Sequence, residues 1–491
     1  MENFISLVTS YFPQTAKLLT SIAFLVFLIL NISDDFDKIT NLIKKIFDFR
    51  KHLDTLIYSH LRKKYNEKLY EKDFLSWQLA IMKKIYEPLI NEKNALLIEQ
   101  FKGYKDVPQI AFAQVSFCEG DTKEYEAITI STKPVDFPFK DICPKDSDHL
   151  ERKEKISKEK YPGIQKKYKG FIKRYYRLIN QTIKYPKRLG YMLDEIIFYT
   201  NNDQEKKNNQ VEWYLDSYVG NYENNLKTSH VLEYELYKLY IKDRKYHLNI
   251  KEKCGKEILK ELPIRNYIHT NFENECDVLT SGKNRSSLLG VQVFVLIKNH
   301  SKEYDVLRIR RSENVVIKPG FLQFIPSGGF EAMNDCVDYD AQWDNYSITK
   351  AVFRELLEEC FGQDEDDKRA CGYNISPDRI YYNDEISKLI KKINDSTDGT
   401  KMQLLGSTMS LVGLRHELSF ILVIDDMELG GSLIGNYESK SAIHRININL
   451  LENRNFWIND DLDKLNCTSA GLFELVRRSE LYKKCLNIKN T

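Results

Sequence analysis

Residues 351–362 read AVFRELLEECFG, and the core of that stretch is Arg354-Glu355-Leu356-Leu357-Glu358-Glu359. On a helix, Glu355, Glu358 and Glu359 stand at i, i+3 and i+4, so three carboxylates share one face within about 5–6 Å. Like charges that close repel unless a cation lies among them, and hard oxygen ligands suit Mg²⁺ or Mn²⁺. Arg354, at the helix entrance, is placed to brace one carboxylate through a bidentate bond. A solvated acidic helix face would carry the same string, so its surroundings decide the reading. Upstream, VQVFVLIK (291–298) and YDVLRIRR (304–311) read as two strands, and FLQFIPSGGFE (321–331) supplies a Gly-Gly turn at Gly328-Gly329.

With that context the stretch resembles the Nudix box, Gx5Ex7REUxEExGU with U apolar. The departures are specific. Counting from Gly329, the first glutamate position falls on Asp335, Arg354 arrives eleven residues late, and Gly362 comes one residue after its place. A loop expansion such as DYDAQWDNYSI (338–348) accounts for the delay. The resemblance implies that Glu355, Glu358 and Glu359 are both the catalytic and the metal-holding carboxylates, with Mg²⁺ activating water and offsetting diphosphate charge. It further implies a ligand held by Gly328, Gly329 and Arg354. SGKNRSSLLGVQVFVLI (281–297) and LLGSTMSLVGLRHELSFILVI (404–424) extend it. From these strings Arg285 is a candidate phosphate or lid contact, Arg415 and His416 are candidate phosphate contacts, and Glu417 is a candidate base. For each of these, an ordinary loop or strand-edge position is the alternative.

At 491 residues the chain is long enough for about three units at ~150 residues each. With 73 basic against 71 acidic residues and a net charge of +2, it lacks the global field of a general nucleic-acid binder. The nine cysteines are odd in number, scattered and without a CxxC pair, which argues for reduced thiols and against a zinc site or disulfide framework.

At the N-terminus, LLTSIAFLVFLILNI (18–32) has no charge, and Lys17 is alone between Glu2 and Asp34. With Thr15 and Ala16 the run approaches the ~20 residues that span hydrocarbon, so a transmembrane helix is expected. A signal peptide and a buried core helix are the alternatives. Lys38, Lys44, Lys45, Arg50 and Lys51 beyond the run place the bulk of the chain on the cytoplasmic side. Ile39, Leu42, Ile43, Ile46, Leu53, Leu56 and Ile57 then recur at helical spacing, and a second helix is expected over 73–99. From about Pro108 the pattern turns strand-like. Residues 152–188 hold fourteen Lys or Arg interleaved with aromatic residues, either a phosphate- or leaflet-facing surface or a solvated helix face.

The expected fold is therefore α+β: a membrane anchor (1–37), a helical stalk (38–99), a mixed α/β middle lobe (100–279) and a C-terminal Nudix-like α/β/α sandwich (280–491). An N-terminal membrane helix joined to a degenerate Nudix domain resembles the CD-NTase-associated transmembrane Nudix effectors of CBASS antiphage systems. That resemblance implies a cyclic oligonucleotide ligand, a homo-oligomer in the bacterial inner membrane, disruption of the lipid bilayer, and no genomic nucleic acid as partner. The alternative is a membrane-tethered, Mg²⁺-dependent hydrolase of a nucleoside diphosphate derivative.

Overall fold

The computed structural model describes residues 55–118, 121–139, 160–180, 189–200, 211–311, 318–332, 345–361, 383–395, 399–433, 443–459 and 464–486. The chain divides into two compact units, Met1–Lys64 and Tyr65–Thr491. The first is described only from Thr55, where it is helical.

The second unit begins with the helix Lys72–Gln100. Phe74, Trp77, Ile81, Met82, Ile85, Tyr86, Leu89, Ile90 and Leu97 are buried together with Gln78, mostly at the three- and four-residue intervals that give a helix one apolar face. Pro88 lies inside it. Near its end, Asn94 donates to Ile110 O (2.6 Å) and accepts from Ile110 N (3.0 Å), tying the helix to the first strand.

The strands, in chain order, are β1 Gln109–Cys118, β2 Asp121–Asp136, β3 Leu189–Thr200, β4 Val211–Asn221, β5 Ser287–Leu288, β6 Gly290–Lys298, β7 Tyr304–Arg310, β8 Leu322–Phe324, β9 Ser327–Gly329, β10 Lys401–Ser410, β11 Arg415–Ile424 and β12 His444–Asn447. Among the described residues, nine form one mixed sheet in the order β1-β2-β10-β11-β6-β7-β12, with β8 on β7 and β9 on β6. The parallel pair is β11–β6, and its Val- and Ile-rich strands are buried along almost their whole length. β4-β3-β5 form a second, three-stranded sheet.

Helices cover both faces of the large sheet. On one side the helix Ile348–Glu359 packs through Phe353 against Phe137 (ring centroids 5.8 Å), which meets Phe139, itself 5.1 Å from Phe420. On the other the helix Cys467–Arg478 sets Phe473 parallel to Phe294 at 5.7 Å, within a core that includes Phe324, Ile421, Trp457 and Tyr482. A fully buried aromatic of this kind contributes roughly 1.5–3 kcal/mol.

Two features of the expected architecture are corrected. The fold is one mixed α/β unit over Tyr65–Thr491, and strands from 109–136 share a sheet with strands from 290–424 through the β2–β10 ladder. No helix among the described residues is long and apolar enough to cross a membrane, so the transmembrane fold class and an inner-membrane location are not upheld. The run 18–32 and the amphipathic positions up to Leu53 lie outside the described residues.

The described part of the basic stretch forms the helices Gly163–Lys167 and Lys169–Asn180. Ile172, Tyr175, Leu178 and Ile179 are buried while Lys173, Arg174 and Arg177 are exposed, a packed helix with a solvated basic face.

Candidate functional site

The site lies where β9, β6 and β11 begin or end together. Glu417 pairs with Gly290 across β11–β6, and Gly290 pairs with Gly329 across β6–β9. Glycine leaves this corner bare. A Cβ on Gly328 would collide with the Glu355 carboxylate, and one on Gly290 would stand 2.8 Å from Glu417 Cγ and 3.2 Å from Arg415 Nη2. The missing side chains let carboxylates approach from both sides of the sheet.

The helix Ile348–Glu359 is aimed at this corner by its entrance. Ser347 caps it, accepting from Lys350 N. Tyr346 donates to Leu215 O (3.0 Å), has Ser217 Oγ within hydrogen-bond distance (2.8 Å) and stacks on Phe330 at 5.5 Å. The second sheet therefore holds both the residue after the glycine pair and the start of the helix.

Arg354 Nη2 donates to Gly329 O (2.7 Å) and to Glu355 Oε1 (2.8 Å), while Nη1 is 3.6 Å from Glu331 Oε2. Burial works against its charge, but Glu331, Glu355 and Glu358 together hold it more firmly protonated than usual. Glu359 Oε2 accepts the Ser327 N–H at 2.8 Å. Glu355 and Glu359 are both held above the usual carboxylate range. For Glu355 the cause is burial, which the Arg354 charge opposes and Glu358 and Glu331 reinforce; for Glu359 it is burial followed by the Glu355 charge.

On the other side of the glycines, Arg415 Nη2 is 3.3 Å from Glu417 Oε1. Arg311 joins the two halves. Burial lowers the pKa of its guanidinium, with Glu359 and Glu417 opposing and Arg415 adding to the effect, so it stands in the field of both carboxylates and of the second arginine. Its Nη1 donates to Gln323 Oε1. His230 is pushed down to about 3 by burial and by Arg415 and Arg311, which makes it a neutral imidazole near pH 7.

The structure brings Glu355, Glu358, Glu359, Arg354, Gly328 and Gly329 into one corner and sets Arg415 and Glu417 across it. Among the described residues no three His, Cys, Asp or Glu are arranged to hold a metal ion. The geometry gives the reason: Glu355 is turned onto Arg354, and Glu359 onto the Ser327 amide. The donor chemistry nonetheless suits a hard cation, since two buried carboxylates that resist ionisation would be relieved by one. With Glu355 held by Arg354, Glu359 of that pair, joined by Glu358 beside it on the helix, would hold Mg²⁺.

Arg285 is a correction. It is fully buried and donates to Leu414 O through Nε (3.0 Å) and Nη2 (2.8 Å) and to Ser281 O (2.7 Å), so it clamps the β10–β11 turn and does not face a ligand. His416 is also interior, 3.1 Å from Ser407 Oγ, with its pKa lowered to about 3 by burial and the Arg285 charge. Asp335 lies outside the described residues. Besides Glu355, the carboxylate beside Arg354 is Glu331, two residues after Gly329 in the quoted FIPSGGFE. Arg311, the last residue of YDVLRIRR, and His230, which carries no motif, were not singled out by sequence.

No family model matches this chain, and no curated protein matches it. Among solved structures, a NUDIX hydrolase from Alicyclobacillus acidocaldarius is similar over 28% of this chain and 68% of that one, at 16% identity and a TM-score of 0.15. A likeness that slight assigns neither fold nor activity.

Proposed function

We propose that this chain is a Nudix-like nucleotide-binding protein that holds a phosphorylated ribonucleotide at the glycine-lined corner and retains it without hydrolysis. The observation that carries the reading is the arrangement of charge: Arg311 stands in the field of both Glu359 and Glu417, and Arg415 lies 3.3 Å from Glu417. Two guanidiniums give a phosphate its hydrogen-bond donors, and adjacent carboxylates give its counter-cation a seat. Mg²⁺, when bound by Glu358 and Glu359, would neutralise phosphate charge. Arg415 and Arg311 would donate to the phosphate oxygens, and the bare Gly290 and Gly328 backbone would admit them.

Retention is favoured over turnover because Glu355 is committed to Arg354, which leaves the trio short of a three-carboxylate metal seat. The resemblance to CBASS effectors suggests a cyclic oligonucleotide as the ligand class. A second reading, hydrolysis of a nucleoside diphosphate derivative, is favoured by Glu417 opposite the carboxylate helix and by the raised pKa of Glu359, which suits a general base near neutral pH.

The test incubates the full chain with cyclic di- and trinucleotides and with nucleoside diphosphates, with and without Mg²⁺, and separates bound, free and cleaved ligand. Retention of intact nucleotide is the expected result. Mg²⁺-dependent cleavage with no intact ligand retained would replace this reading with the hydrolase.

A further inference from the structure

Behind Arg415 and Glu417, on the side away from the carboxylate helix, is a crevice of about 40 Å³ lined by His230, Ser410, Arg415, Glu417, Asn466 and Thr468 among others. Apart from Glu233 Oε1, which is ion-paired to Lys318, three buried polar atoms of its lining have no hydrogen-bond partner among the described residues: His230 Nε2, Arg415 Nε and Glu417 Oε2. Buried polar groups are almost always paired, so three orphans on one small space point to a guest that supplies the missing bonds. The charges beside them are already matched, since Lys318 Nζ is 2.8 Å from Glu233 Oε1.

The wall is built to stay in place. Arg265, fully buried, donates to Leu411 O (2.8 Å) and Val412 O (2.6 Å), and Arg285 donates to Leu414 O, so two arginines fix the turn from which Arg415 emerges. His230 closes the π-helical turn Leu226–His230, a local irregularity that often marks functional positions.

Size and donor pattern narrow the guest. A water-sized group needs roughly 10–15 Å³, so the interior of the crevice takes two or three such groups. The guest must accept from the Arg415 N–H and donate to the Glu417 carboxylate, while the imidazole can serve either way. A hydroxyl does both. We infer that the crevice is a subsite for the ribose hydroxyl edge of the nucleotide whose phosphates lie on the Arg311 side, with His230 and Glu417 as the residues that distinguish ribose from deoxyribose. This rests on the nucleotide-binding reading above.

The experiment titrates the full chain, with Mg²⁺, against 3′,3′-cyclic di-AMP and ADP and against their 2′-deoxy counterparts. The ribonucleotide is expected to bind roughly ten- to hundredfold more tightly, because the deoxy form leaves the buried acceptor unpaired. His230→Ala should reduce that ratio severalfold, and His230→Gln, which keeps a hydrogen-bonding group, should restore part of it. Equal affinity of the ribo and deoxy forms for the wild-type chain overturns the subsite while leaving nucleotide binding intact. Binding of neither form overturns both.

Discussion

Replacing Arg354 by Met removes the guanidinium that Glu355, Glu331 and Gly329 O share while keeping most of the side-chain volume. Two hydrogen bonds are lost, at 2.7 and 2.8 Å, one of them to an ionised partner. Bonds to charged groups are each worth about 1.5–3 kcal/mol, and breaking a buried pair from one side costs about 3–5 kcal/mol, so the expected loss at pH 8 is about 3–5 kcal/mol. The loss depends on pH, with a definite sign. The folded pKa of Glu355 is already raised by burial, and without the Arg354 charge it rises further. A group with a raised folded pKa contributes stability that is fully present below its unfolded value, about 4.3, and is lost as pH rises through the folded value. The variant should therefore lose about 1.5–3 kcal/mol near pH 5, from the bond to Gly329 O, and clearly more at pH 8, where Glu355 ionises without its partner. Urea unfolding of the full chain at both pH values, with the double variant Arg354→Met/Glu355→Gln, measures this. A penalty independent of pH, or no recovery in the double variant at pH 8, would refute the assignment of Arg354 as the partner of Glu355.

Arg285→Met should destabilise the fold by about 3 kcal/mol through loss of its carbonyl bonds, and the folded variant should keep wild-type ligand affinity; a selective loss of affinity would return Arg285 to the binding site. Gly328→Ala should cost about 1–3 kcal/mol of stability by overpacking against Glu355, read by thermal unfolding, whereas Gly170→Ala, whose Cβ meets nothing, should not. Glu235 accepts the Ile264 and Arg265 amides at the start of the Pro263–Thr270 helix, and burial raises it to about 7 despite the Arg265 charge. Its contribution is complete below about pH 4.3 and fades as pH rises through about 7, so Glu235→Gln should flatten the fall in stability between pH 5 and 8. Parallel pH profiles would contradict that shift.

Local spacing carried much of the site and little of the topology. Three carboxylates at i, i+3 and i+4 beside an arginine announce a charged helix face, and the apolar runs at 291–298 and 304–311 announce strands, because both signals lie within a few residues. Arg354 has Glu331 beside it as well as Glu355, and the count from Gly329 passed over Glu331 because it looks six residues on, to Asp335. Arg285 read as a ligand contact because a loop arginine in sequence shows no sign that carbonyls of a turn more than a hundred residues away will satisfy it. The ladder between β2 and β10 has the same character: Gln403 faces Asp136, and neither segment's pattern names its partner. The apolar run 18–32 lies outside the described residues, and no described helix is long and apolar enough to cross a membrane.

The most direct test of the single-site account is the affinity of one retained nucleotide, with Mg²⁺, for wild type, Glu359→Gln and Arg415→Gln, measured by calorimetric titration of the full chain. A ligand spanning the glycine corner predicts that both variants weaken binding at least tenfold with unchanged stoichiometry. Wild-type affinity in both variants would place the nucleotide elsewhere and contradict the account.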